Sequence, residues 1–124
     1  MLNSRQRFGK EGESVAVRHL LKSGYLILAQ NYRTRYGEID IIAKDGNTLV
    51  FVEVKSRRNE SFGNPKYAVT FKKRQKMSMA ALDYLKTTKQ SNIKARFDVV
   101  AICSGKENPE PDIEIIRNAF ELAV

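Results

Sequence analysis

The stretch GEIDIIAKDGNTLVFVEVK, residues 37–55, decides how this chain folds. Two apolar runs, residues 38–44 and 48–55, flank Asp45-Gly46-Asn47. Asp-Gly between β-rich runs is a strong hairpin signal. Charge interrupts each strand once, as Glu38 and Asp40 on the first and as Glu53 and Lys55 on the second. Strand side chains alternate between faces, so Glu53 and Lys55 share a face with Phe51. On the first strand, Ile39, Ile41 and Ala43 are expected on one face and Glu38, Asp40 and Ile42 on the other. A turn at Asp45-Gly46 sets Asp40 opposite Phe51 and Glu38 opposite Glu53. A turn at Gly46-Asn47 sets Asp40 opposite Glu53. Either register brings Asp40 and Glu53 onto one face within a step of each other. Like charges facing across strands destabilise a sheet, so this arrangement calls for a compensating cation or proton.

Working outward, residues 4–23 read as a helix with Ser4 as N-cap and Gly24 following its end. Phe8, Gly12, Val15, Ala16, His19 and Leu20 recur at helical spacing, and Glu13 borders that face. A strand over residues 25–30 leads into the hairpin. Residues 56–64 are polar and read as a loop ending near Gly63 and Pro65. A second helix is predicted over residues 70–86, capped by Thr70, with Met77, Ala80, Ala81, Tyr84 and Leu85 on its apolar side. Its first turns carry Lys72, Lys73, Arg74, Gln75 and Lys76. Strands over residues 96–103 and 112–117 follow, separated by a break at residues 108–111. The order α-β-β-β-α-β-β predicts an α/β fold, a mixed β-sheet flanked by helices, in a single domain over residues 1–124.

Composition bounds the function. With 124 residues, 42% hydrophobic and 29% charged, the chain has the balance of one globular domain. It has no apolar run of about 18 residues and a polar, charged N-terminus, so neither a membrane partner nor a secretory signal is expected. The lone Cys103 forms no internal disulfide, which fits the cytoplasm. Net charge is +8, and it is unevenly spread. Residues 101–124 hold two basic and five acidic side chains, so residues 1–100 carry the whole excess. Between Lys55 and Lys76 stand Arg57, Arg58, Lys66, Lys72, Lys73 and Arg74 against Glu60 alone. A basic face of this kind attracts phosphate backbones through counterion release.

The carboxylate pair adds chemistry to that charge. Two hard oxygen donors suit Mg²⁺ or Mn²⁺, which need few protein carboxylates and keep several waters. Such a metal activates water and stabilises charge on a phosphodiester. Lys55 beside the pair is suited to position the attacking water or to steady developing negative charge.

Asp40, a turn, then Glu53-Val54-Lys55 resembles the PD-(D/E)xK signature of restriction-endonuclease-like nucleases. Ile39 stands where the name of that signature has proline. Glu13 on the preceding helix resembles the extra acidic residue of Holliday-junction resolvases. Longer strings, GKEGE (9–13), NYR (31–33), GEIDIIA (37–43), FVEVKSR (51–57), RFDVVAI (96–102) and NAF (118–120), resemble the YraN-like bacterial family across nearly the whole chain. The resemblance implies that Asp40 and Glu53 ligate metal with the Val54 carbonyl, that Glu13 is a direct or outer ligand, and that Lys55 is the catalytic lysine. It places Lys73 or Gln75 at the site or the phosphate.

The expected activity is therefore metal-dependent hydrolysis of DNA phosphodiesters, with DNA favoured over RNA. Analogy with resolvases adds branched or structured DNA as substrate, and a homodimer or protein partner. The nucleic-acid-binding set is Arg57, Arg58, Lys72, Lys73, Arg74, Gln75 and Lys76. The alternative is a non-catalytic nucleic-acid-binding module within a repair or processing complex, which needs the basic face but not the carboxylates. Tyr32, Tyr36 and Phe62 stand among basic residues, where base stacking and ordinary loop packing are both open. Asp98, facing away from Phe97 and Val99, is expected to make a structural hydrogen bond or salt bridge.

Overall fold

A computed structural model describes residues 4–57, 69–104 and 110–123, with side chains of the first helix described from Lys10 onward. Arg58 and Phe62 lie outside the described residues. The elements are α1 (Ser4–Lys22), β1 (Leu26–Thr34), β2 (Gly37–Asp45), β3 (Thr48–Arg57), α2 (Phe71–Thr87), β4 (Ala95–Cys103) and β5 (Asp112–Phe120). They follow the predicted order, with β1 and β5 extending further than expected. Among the described residues no helix is long and apolar enough to cross a membrane.

The five strands form one sheet in the order β1-β2-β3-β4-β5. All neighbours are antiparallel except β3 and β4, which are parallel and joined through α2. A parallel pair needs a long crossover, and α2 supplies it. The sheet is therefore mixed, and its two faces carry separate cores. On one face α2 lays Met77, Ala80 and Ala81 onto Ile42, Leu49, Phe51, Phe97 and Val99. On the other, α1 lays Ala16 and Leu20 onto Ile41, Ala43, Val50, Val52 and Val100.

Both helices have sequence-encoded ends. Thr70 caps α2, its side-chain oxygen accepting from the Lys73 N–H at 3.1 Å. After α1 the Tyr25 N–H reaches the Leu20 carbonyl at 3.0 Å and the Gly24 N–H reaches Leu21 at 3.1 Å. This is a Schellman stop, and Tyr25 then packs in the same core as Leu20. The hairpin turn falls on Gly46-Asn47, since Asp45 pairs with Thr48. Gly46 has φ +60° at the first central position, where the backbone requires glycine.

One expectation fails in β2. Ile39 does not share a face with Ile41 and Ala43; it packs with Ile42 and Phe51 against α2. The alternation slips at Asp40. Its neighbour across the β1–β2 ladder, Asn31, sits at φ +53°.

Asp98 fastens the sheet on the α1 side. It is fully buried and accepts from Tyr25 Oη (2.8 Å), Arg96 Nε (2.9 Å) and Nη2 (3.2 Å), and the Asn118 N–H (2.9 Å). Asn118 lies where the β4–β5 register shifts, at φ +51°, so Asp98 takes an N–H released by that irregularity. Arg96 also donates to Asp45 at 2.7 Å, tying β4 to the hairpin turn. The structural role expected of Asp98 holds. Truncating one member of a buried charged network leaves the others unpaired. Asp98→Ala should therefore lower unfolding free energy by about 3 kcal/mol or more. Asp45→Ala, at a half-exposed partner, should lower it by about 1 kcal/mol or less. Urea denaturation of both variants checks the contrast.

Candidate metal and nucleic-acid site

The site is made where strand pairing ends. β2 pairs with β3 from Asp45↔Thr48 to Ile41↔Val52, and the ladder stops there. The β1–β2 pair runs on through Tyr32↔Ile39, Arg33↔Glu38 and Thr34↔Gly37. The β3–β4 pair runs on from Glu53↔Val99 to Arg57↔Cys103. The sheet thus forks into two ribbons, and the next pair in the β2–β3 register, Asp40 with Glu53, stands at the crotch.

Forking strands strand their backbone groups, and Asp40 answers this. Its Oδ2 accepts the Val54 N–H at 2.8 Å, the bond a continuing ladder would have satisfied from a carbonyl. Asp40 is half-buried, and its backbone bond fixes the carboxylate beside Glu53.

Glu53 is only 5% exposed, on the same face as Phe51. Its Oε2 is buried and makes no hydrogen bond. Two ammonium groups approach without bonding closely: Lys73 Nζ lies 3.5 Å from Oε2 and Lys55 Nζ 3.9 Å from Oε1. The Lys73 contact is an ion pair by distance but not a hydrogen bond. Burial above all, and then the adjacent Asp40 carboxylate, raise the Glu53 carboxyl to about 7 against the opposing charges of Lys73 and Lys55.

α1 brings the third carboxylate. At Gly12 an added Cβ would collide with Ser56 Oγ on β3, so glycine allows the helix to lie against the fork. The next residue, Glu13, is half-buried. Its carboxyl is raised by burial and by the charge of Asp40, while a hydrogen bond from Asn31 works against this. With its amide nitrogen turned inward, Asn31 donates to Glu38 Oε1 at 3.1 Å and to both Glu13 oxygens at 3.3 Å. Asn31 was not identified from the sequence as a site residue. Its signal was an asparagine inside a strand, a poor β-former that tolerates positive φ.

The structure brings Asp40, Glu53, Lys55 and Lys73 together, with Glu13 in the field of Asp40 and linked by Asn31 to Glu38. Arg57 ends β3, on the second ribbon. Lys72, Gln75 and Lys76 are exposed on α2. Arg74 turns inward, its Nε donating to the Val69 carbonyl at 3.1 Å. Tyr32 is a packing residue: its ring meets Tyr84 edge-on at 5.2 Å and its hydroxyl donates to Asp83. A separate groove of about 300 Å³, lined by Leu82, Leu85, Phe97, Phe120 and Leu122, contains none of the carboxylates or lysines of the fork.

The donor set fits a hard divalent cation. A buried oxygen without a partner, facing a second carboxylate, is the environment a metal would relieve. Among the described residues no group of three or more His, Cys, Asp or Glu is arranged to hold a metal ion.

Fold and site define a small α/β domain with paired carboxylates in a forked sheet, opening toward basic residues. The chain belongs to the uncharacterised protein family UPF0102, the YraN-like proteins, whose family model matches residues 12–102. It is 55% identical over 121 residues to a UPF0102 protein of Desulfosudis oleivorans, covering 98% of this chain and 95% of that one. It is 52% identical to one of Syntrophus aciditrophicus, covering 94% and 91%, and 46% identical to one of Rhodococcus opacus, covering 90% and 94%.

Without metal, ionised Glu53 is a liability to the fold. Its carboxyl is raised from 4.5 to about 7, so below about pH 4.5 it is protonated in both the folded and unfolded states and costs nothing. As pH rises from there toward 7 the unfolded chain ionises first, and stability falls. Glu53→Gln keeps the shape without the charge. In EDTA it should melt higher than wild type at pH 8, by up to about 3 kcal/mol, with the gap closing by pH 5. Thermal melts at both pH values check this, and a less stable variant at pH 8 contradicts it.

Proposed function

We propose that this chain is a metal-dependent nuclease of the PD-(D/E)xK type that hydrolyses DNA phosphodiesters, with branched or structured DNA as its substrate class. One observation carries the reading: Glu53, almost wholly buried, has an unbonded oxygen beside Asp40 at the mouth of a fork flanked by lysines. A protein that needed only a basic surface would have no use for this arrangement, because burying one carboxylate beside another costs several kcal/mol.

Asp40 and Glu53 would hold Mg²⁺ or Mn²⁺, with the Val54 carbonyl and waters as further ligands and Glu13 acting through water. The bound cation supplies water activation and charge neutralisation at the phosphate. Lys55 orients the attacking water and faces the negative charge that develops on the phosphoryl oxygens. The water oxygen bonds to phosphorus as the bond to the departing sugar oxygen breaks. The water's proton passes to solvent, and the sugar oxygen takes one from solvent. Lys73 shares the Glu53 charge in the metal-free protein and faces the same notch as the phosphate. Paired cuts across a four-way junction would need two copies related by a two-fold axis.

The test is cleavage of linear, flapped, single-stranded and four-way-junction DNA, and of RNA, in Mg²⁺, Mn²⁺ or EDTA. Wild type should cut DNA only with metal, and Asp40→Ala and Glu53→Ala should lower the rate at least about 1,000-fold, the scale of losing preorganised electrostatic stabilisation. Cutting that persists in either variant removes the carboxylates from the mechanism. Salt-sensitive binding with no cutting in any metal would favour the non-catalytic module.

A further inference from the structure

The fork has two arms, and only the β3–β4 arm carries residues already assigned to nucleic acid. The β1–β2 arm projects past the carboxylates as a two-stranded ribbon tipped by Arg35 and Tyr36. Tyr36 lies four positions before Asp40, so the tip stands about 13 Å beyond the site. That is about four nucleotide steps along a B-form strand.

The tip is rigid in construction. Thr34 Oγ1 accepts from the Tyr36 N–H at 3.0 Å and the Gly37 N–H at 3.2 Å, and donates to the Gly37 carbonyl at 3.0 Å. The Arg35 guanidinium lies over the Tyr36 ring at 4.8 Å and donates to its hydroxyl at 2.6 Å. The end of the ribbon is seated on α2. A Cβ on Gly37 would stand 3.2 Å from Lys76 Cβ, so glycine lets the strand touch the helix there. Lys73 and Lys76 are one helical turn apart. They link Glu53 at the notch to Gly37 at the root of the tip, so cations follow the arm outward.

The arm's own charge is available. The Arg33 side chain is 83% exposed, with Glu38 no nearer than 3.9 Å, a distance at which an exposed pair holds little. Arg35 is exposed, and Asp83, the acidic group in its field, already accepts from Tyr32. Nothing in the core uses the Arg35–Tyr36 stack.

We infer that the β1–β2 arm is a nucleic-acid-binding element, in which Arg33 and Arg35 take backbone phosphates about four nucleotides from the notch and Tyr36 stacks on an unpaired base. This rests on the nucleic-acid reading above and adds a substrate feature: an unpaired nucleotide a few steps from the bond to be cut. Aromatic stacking tolerates any base but needs one that has left the helix.

Fluorescence anisotropy of the full chain in EDTA tests it, using a flapped DNA and a fully paired duplex over a range of salt. R33Q/R35Q should flatten the dependence of log affinity on log salt by about two on both DNAs, near 0.9 for each phosphate left without its arginine. Tyr36→Ala should weaken binding to the flapped DNA about tenfold and to the duplex less than twofold, with Tyr36→Phe restoring most of the difference. Wild-type binding with an unchanged salt slope in R33Q/R35Q, or an equal loss on both DNAs in Tyr36→Ala, overturns the arm while leaving the nucleic-acid reading intact. Failure of wild type to bind any DNA overturns both.

Discussion

The bond from the Val54 N–H to Asp40 Oδ2 is the constraint on which the site depends. It lies where β2 and β3 stop pairing, and it replaces a missing ladder bond with a side-chain bond. Because the acceptor is a carboxylate, the fork acquires a fixed negative charge. Because the bond is to the residue after Glu53, that charge sits beside a second carboxylate. The two carboxylates and the approaching Lys55 and Lys73 all stand at this one termination of pairing.

The chain contains its own control for a buried carboxylate. Asp98 and Glu53 are both nearly free of solvent. Asp98 accepts four hydrogen bonds and pairs with Arg96. Such a group holds elements together and has no capacity left for a ligand. Glu53 has an oxygen with no hydrogen bond, and two lysines at 3.5 and 3.9 Å. The same residue chemistry at the same depth is saturated in one place and unsaturated in the other. Unmet bonding capacity, rather than burial or charge alone, separates the candidate site from the scaffold.

Much of this was legible along the chain. Asp45-Gly46-Asn47 between two apolar runs fixes the hairpin, and Thr70 ahead of a helical pattern fixes the start of α2, because turn and cap chemistry are local. Glu53 and Lys55 interrupting an apolar strand marked the site, since charge at a core position needs a reason. Tyr32 stood where stacking on a base and packing on a neighbour were both open, and the position of Tyr84 decided for packing. Arg74 read as one more basic residue, until the Val69 carbonyl proved to engage it.

The sequence by itself determined the elements, their order and that Asp40 and Glu53 lie within a step of each other across the hairpin, because turns and caps depend on near neighbours. Only the tertiary structure decided where β2–β3 pairing ends, which of the α2 lysines reaches Glu53, and that Asn31 joins Glu13 to Glu38. Those outcomes depend on contacts between segments far apart in the chain. The slip of alternation at Asp40 shows why: Ile39 packs with Ile42 and Phe51 against α2, and no pattern within β2 carries that information.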